Sequence, residues 1–149
     1  MSMNLKKKII IFKNDAVGDL VQSLQSINNV IKRYSENEII IYLSERSKNF
    51  SFLLEKENIN VKILNYDLSI GEKIQIFKFL LINDIDKIYI LTPKNFYFYL
   101  PLFFRKIRFF GLCINSKNNY RRPVNFLRKF LYKFVINDRG SINKRKSTM

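Results

Sequence analysis

The chain has 149 residues, 47% of them hydrophobic, and a formal net charge of +15; that is one domain's length with enough apolar material for a core, which excludes a disordered chain. A single cysteine excludes a disulfide framework and a cysteine-based metal site. Histidine is absent, which excludes the commonest general base, the commonest zinc ligand and every Ser-His or Cys-His nucleophile, so acid–base chemistry falls to Asp, Glu, Lys or Tyr.

In chain order, residues 9–12 are a β-branched apolar run that reads as a strand buried on both faces. A polar turn, KNDAVGD, follows. From Leu20 the positions Leu20, Val21, Leu24, Ile27, Val30 and Ile31 repeat at helical spacing, with Lys32 and Arg33 in the last turn, where cations suit the helix dipole. Residues 38–43, EIIIYL, read as a second buried strand, and 44–58 as a short helix. Residues 60–67 form a third, more polar strand near a sheet edge. Ser69 opens another helix, with Glu72 completing a capping box and Ile70, Ile74, Ile76, Phe77, Phe79, Leu80 and Leu81 as its apolar set. Asp84 and Asp86 read as a helix-to-strand turn. Residues 87–92 form a fourth strand closed by Pro93. The aromatic segment 95–106 reads as a helix kinked by Pro101, either a core helix or an interfacial anchor. Residues 107–114 form a fifth strand, in which Cys113 is a buried, inert thiol. Strands alternate with helices throughout, which predicts an α/β fold: an open parallel sheet with right-handed crossovers and helices on both faces.

In such a sheet ligands bind outside the carboxyl ends of the strands. The first turn lies there, and it ends in Gly18-Asp19. Gly18 permits a tight turn and close approach of a ligand. Asp19 falls at or near the helix N-terminus, where it is either an ordinary N-cap or a functional carboxylate. The turn has neither the spaced glycines of a dinucleotide fingerprint nor a P-loop. Lys13, Asn14 and Asp15 at the first strand end, Ser44, Glu45 and Arg46 at the second, and Thr92 and Lys94 at the fourth are further candidates at that edge.

The frame IIIFKNDAVGDLVQSLQSINNVIKRYSENEIIIYLSERSKNF resembles the opening of the family 9 glycosyltransferases, the heptosyltransferases of lipopolysaccharide core assembly. AVGDLVQSL carries most of the likeness, and IRFFGL is similar to a later strand of that family. The resemblance implies a GT-B enzyme, here its Rossmann-like N-terminal, acceptor-binding domain. It implies that Asp19 is the general base in an inverting transfer from a nucleotide-sugar donor of the ADP-heptose kind to a phosphorylated glycolipid acceptor. Asp15 stands second as base. Lys13, Asn14, Asp15, Gly18 and Thr92 are the expected acceptor-binding residues. No cofactor or metal is expected. The chain departs from the family in having Ser23-Leu24-Gln25 where Ser-Leu-Pro is usual. It also ends before a nucleotide-sugar domain would begin, which implies a fragment, a truncated gene or half of a split pair, inactive without its second domain.

The expected organisation is a Rossmann-like domain over 1–116, a basic amphipathic helix over 117–136 and a linker or disordered tail over 137–149. The helix sets Val124, Leu127, Phe130, Leu131 and Phe134 against Arg128, Lys129 and Lys133. It either packs on the domain or attaches to an anionic membrane surface. No segment reaches the about 18 apolar residues of a spanning helix, and no signal peptide is apparent. The expected location is therefore the cytoplasm, with peripheral attachment at the inner membrane face. The charge itself points to an acidic partner or to compositional drift. Nucleic acid is not among the expected partners, because the aromatics lie in apolar runs. A basic α/β nucleic-acid-binding module and a non-catalytic remnant are the alternative readings.

Overall fold

The computed structural model describes residues 6–92 and 94–111. The helix over 117–136, the tail over 137–149 and Cys113 lie outside the described residues.

Five strands form one parallel sheet: β1 (Lys8–Lys13), β2 (Glu38–Ser44), β3 (Ile59–Leu64), β4 (Ile85–Ile90) and β5 (Arg108–Gly111). Their spatial order is β3-β2-β1-β4-β5. The connections are α1 (Val17–Arg33), a 3-10 helical run (Glu45–Leu53), α2 (Ile70–Ile82) and α3 (Asn95–Phe103). This is the Rossmann-like open α/β sheet that the alternation of patterns predicts.

Side chains alternate across each strand, so the apolar runs feed two separate cores. Ile9, Ile11, Ile39, Ile41 and Leu43 pack with Leu20, Ile27 and Ile31 of α1 on one face. Ile10, Phe12, Ile40, Tyr42, Ile88 and Ile90 pack with Ile76 and Leu80 of α2 and with Tyr97 and Leu100 of α3 on the other. Phe12 stacks on both Tyr42 and Tyr97, with ring centroids 5.1 and 4.1 Å away. The aromatic segment is therefore a core helix. The chain changes faces in passing from β3 through α2 to β4, so β1 and β4 flank the topological switch point.

Several elements differ from the sequence-based expectation. The first helix begins at Val17, before the apolar repeat at Leu20, because the Ala16 carbonyl already accepts from the Leu20 N–H at 3.1 Å. Residues 45–53 wind as 3-10 turns. The fourth strand starts at Ile85, and a register irregularity against Lys8/Ile9 lets Asp86 enter it. Asp86 is thus a strand residue held by Arg108 at 2.7 Å, not part of a turn. In α2 only Ile76 and Leu80 are buried; Ile70 is 77% exposed and Leu81 64% exposed. One helix face contacts the sheet, and the apolar set was too wide for it.

Candidate functional site at the carboxyl edge of the sheet

β1 delivers Lys13, Asn14 and Asp15 to the carboxyl edge, and all three turn inward. Lys13 is 3% exposed and Asp15 7%. Lys13 Nζ donates to Asp15 Oδ2 at 2.6 Å and to the Leu91 carbonyl at 3.2 Å, which ties the end of β1 to the end of β4. Burial pushes the Asp15 carboxyl above its ordinary 3.8; the Lys13 ammonium opposes this, and the charge of Asp19 adds to it.

Asn14 is 0% exposed and joins the loops after β1 and β3 to α3. Its Oδ1 accepts from the Tyr97 hydroxyl at 2.6 Å, and its Nδ2 donates to the Asn65 carbonyl at 3.2 Å. The Asn65 N–H in turn donates to Glu72 Oε1 at 2.7 Å, and Glu72 Oε2 accepts from the Ser69 N–H at 2.8 Å. Burial raises the Glu72 carboxyl, but these hydrogen bonds outweigh it and hold the group below its ordinary 4.5. The loops after β1 and β3 and the start of α3 are thereby fixed to one another.

Asp19 lies apart from this buried network. It is the third residue of α1, exposed, and its side chain has neither a hydrogen bond nor an ion pair among the described residues. It is not the N-cap: Ala16 holds that position, without a side-chain cap. Gly18 is the second helical residue, and a Cβ built on it meets nothing within 4 Å. The tight-turn reading of Gly18 therefore falls, and what remains is open space beside Asp19.

Ser44 Oγ accepts from the Arg46 N–H at 3.1 Å and caps the 3-10 run, while Glu45 and Arg46 are exposed. Thr92 is fully buried. Its Oγ1 and Asp15 Oδ1 are buried oxygens without a hydrogen-bond partner among the described residues. The sequence reading missed Tyr66, whose ring holds Arg46 and Lys94 at 3.9 and 4.0 Å from its centroid. A tyrosine after a β3-type strand was the available signal, but its cationic neighbours come from other loops.

Of the expected residues, the fold pairs Lys13 with Asp15 beneath the edge, buries Thr92 next in sequence to the Leu91 carbonyl that Lys13 meets, makes Asn14 a structural link, and leaves Gly18 and Asp19 on the open side. Among the described residues no group of three or more acidic, cysteine or histidine side chains could hold a metal ion, and no helix is long and apolar enough to cross a membrane. No family model, no curated protein and no solved structure matches the chain.

Proposed function

We propose that the chain is the acceptor-binding domain of an inverting glycosyltransferase of the heptosyltransferase kind, with Asp19 as its general base. The observation that carries this reading is the exposed, unpaired Asp19 carboxylate on the first turn of α1, at the carboxyl edge of the central strand. Lys13 neutralises Asp15 at 2.6 Å, which leaves Asp19 as the accessible base of the two.

In this mechanism an acceptor hydroxyl lies against Asp19. Its oxygen attacks the anomeric carbon as the bond from that carbon to the nucleotide diphosphate breaks on the opposite face. The hydroxyl proton passes to the Asp19 carboxylate, the nucleotide diphosphate leaves with the bonding electrons, and the anomeric configuration inverts. A second domain would hold the nucleotide-sugar donor. A phosphorylated glycolipid as acceptor places the reaction at the inner membrane face.

The test is Asp19→Asn in the protein as expressed from its own locus, assayed for heptose transfer from ADP-heptose to a lipopolysaccharide-core acceptor. Turnover is expected to fall at least about 100-fold, the usual worth of a general base, with acceptor affinity unchanged. Turnover near the native rate would remove Asp19 from the mechanism.

A further inference from the structure

Arg46 and Lys94 come from the ends of different strands and meet on one ring. The Arg46 guanidinium carbon lies 3.9 Å and Lys94 Nζ 4.0 Å from the Tyr66 centroid. Neither has a carboxylate at ion-pair distance among the described residues, whereas Lys8, Lys13, Lys87 and Arg108 each have one. Cation–π attraction holds each head to the ring but leaves its charge unneutralised.

The three loops are fixed. Arg46 is held through its N–H on Ser44 Oγ, Lys94 through its N–H on the Thr92 carbonyl at 2.9 Å, and Tyr66 through Asn65, tied to Asn14 and Glu72. α3 starts directly after Lys94 with no acidic residue in its first turn, so the positive end of its dipole is also unanswered. A lysine at a helix N-cap works against local stability, and such breaches concentrate at functional sites. Burial lowers the Lys94 pKa, and Arg46 adds to that; Asp67, Asp15 and Glu45 act in the opposite sense without pairing.

We propose that Arg46, Tyr66 and Lys94 form a binding site for the phosphate of a phosphorylated sugar, free or as the headgroup of a glycolipid. A phosphate monoester carries up to two negative charges and three acceptor oxygens, which suits a guanidinium fork beside an ammonium. Glu45 and Asp67, both exposed, accept from sugar hydroxyls and repel a polyanion; that favours a small phosphate over a nucleic acid. The site does not depend on the role given to Asp19: either can fail while the other holds.

The full chain is titrated calorimetrically with glucose 6-phosphate and with glucose, and in parallel with phosphatidylcholine vesicles carrying lipid A. Saturable binding is expected with a phosphorylated probe and not with glucose. Binding to glucose 6-phosphate marks a soluble ligand, and binding to the lipid A vesicles alone marks a glycolipid headgroup. Arg46→Gln and Lys94→Gln should each weaken binding about tenfold or more, while Lys48→Gln, at an exposed lysine of the same 3-10 run, leaves it unchanged. Arg46 is exposed, so its variant keeps the fold and carries the test even if Lys94→Gln does not fold. Absence of saturable binding to both phosphorylated probes, or an equal loss in Lys48→Gln, overturns the proposal.

Discussion

Lys13 and Asp15 illustrate how a strand-end charge can be structural. Two charges buried 2.6 Å apart are costly to desolvate, and removing one leaves the other without its counter-charge. Lys13→Met should lower the unfolding free energy by about 3 kcal/mol, because it leaves the buried Asp15 carboxylate without its counter-charge, whereas Asp15→Asn should lower it by less, because burial already favours the uncharged carboxyl at that position. The double variant should lose less than the sum, by about 1–3 kcal/mol. Urea denaturation of the four proteins measures this, and strict additivity would contradict the pairing. The raised Asp15 pKa has its own sign: its contribution to stability is full below the unfolded value and is lost as pH rises through the folded one. At this scale the sequence was partly legible. Asp19 could be placed near a helix start because Gly-Asp follows an apolar strand and precedes a helical repeat. The inward turn of Lys13 and Asn14 could not be read, because their partners Leu91, Asn65 and Tyr97 lie 78, 51 and 83 residues away.

At the scale of elements, α2 contrasts a legible start with an illegible face. Its capping box is local chemistry, and it forms as read: Ser69 Oγ accepts from the Glu72 N–H at 3.2 Å while the Glu72 carboxylate accepts from the Ser69 N–H. Its buried face depends on the sheet beneath it and narrows to Ile76 and Leu80. The Glu72 carboxylate also holds Asn65, so it contributes to both the helix and the site loop. Its folded pKa is depressed, so its contribution is present above the ordinary 4.5 and is lost as pH falls through the folded value. Ser69→Ala should lower stability by about 1 kcal/mol at neutral pH. Glu72→Gln should flatten the loss of stability on acidification below pH 4.5. Unfolding curves across that range measure both effects; an unchanged acid limb in Glu72→Gln would contradict the assignment. The same dependence on a neighbour hid Asp86, since its entry into β4 follows from an irregular register with β1.

Over the whole molecule, the fold class was legible because continuous apolar runs alternate with helical repeats, and β1 and β2, buried along nearly their full length, match those runs. The more polar third strand was read near an edge, and β3 lies at one. The strand order was not spelled out locally; it follows from which faces the connections cover. That order gathers the loops after β1, β2, β3 and β4 at one edge, where Asp19, Arg46, Tyr66 and Lys94 meet open space or one another. The opposite edge holds structural contacts such as the Asn37 Nδ2 bond to the Lys7 carbonyl at 2.8 Å. Backbone amide mapping by nuclear magnetic resonance, with a phosphorylated lipopolysaccharide-core oligosaccharide added to the full chain, tests this placement most directly. The account predicts shift changes confined to residues 14–19, 44–48, 65–69, 91–92 and 94–95. Changes centred on 34–38, 56–58 and 83–85 at the opposite edge, or on the exposed side of α2, would contradict it.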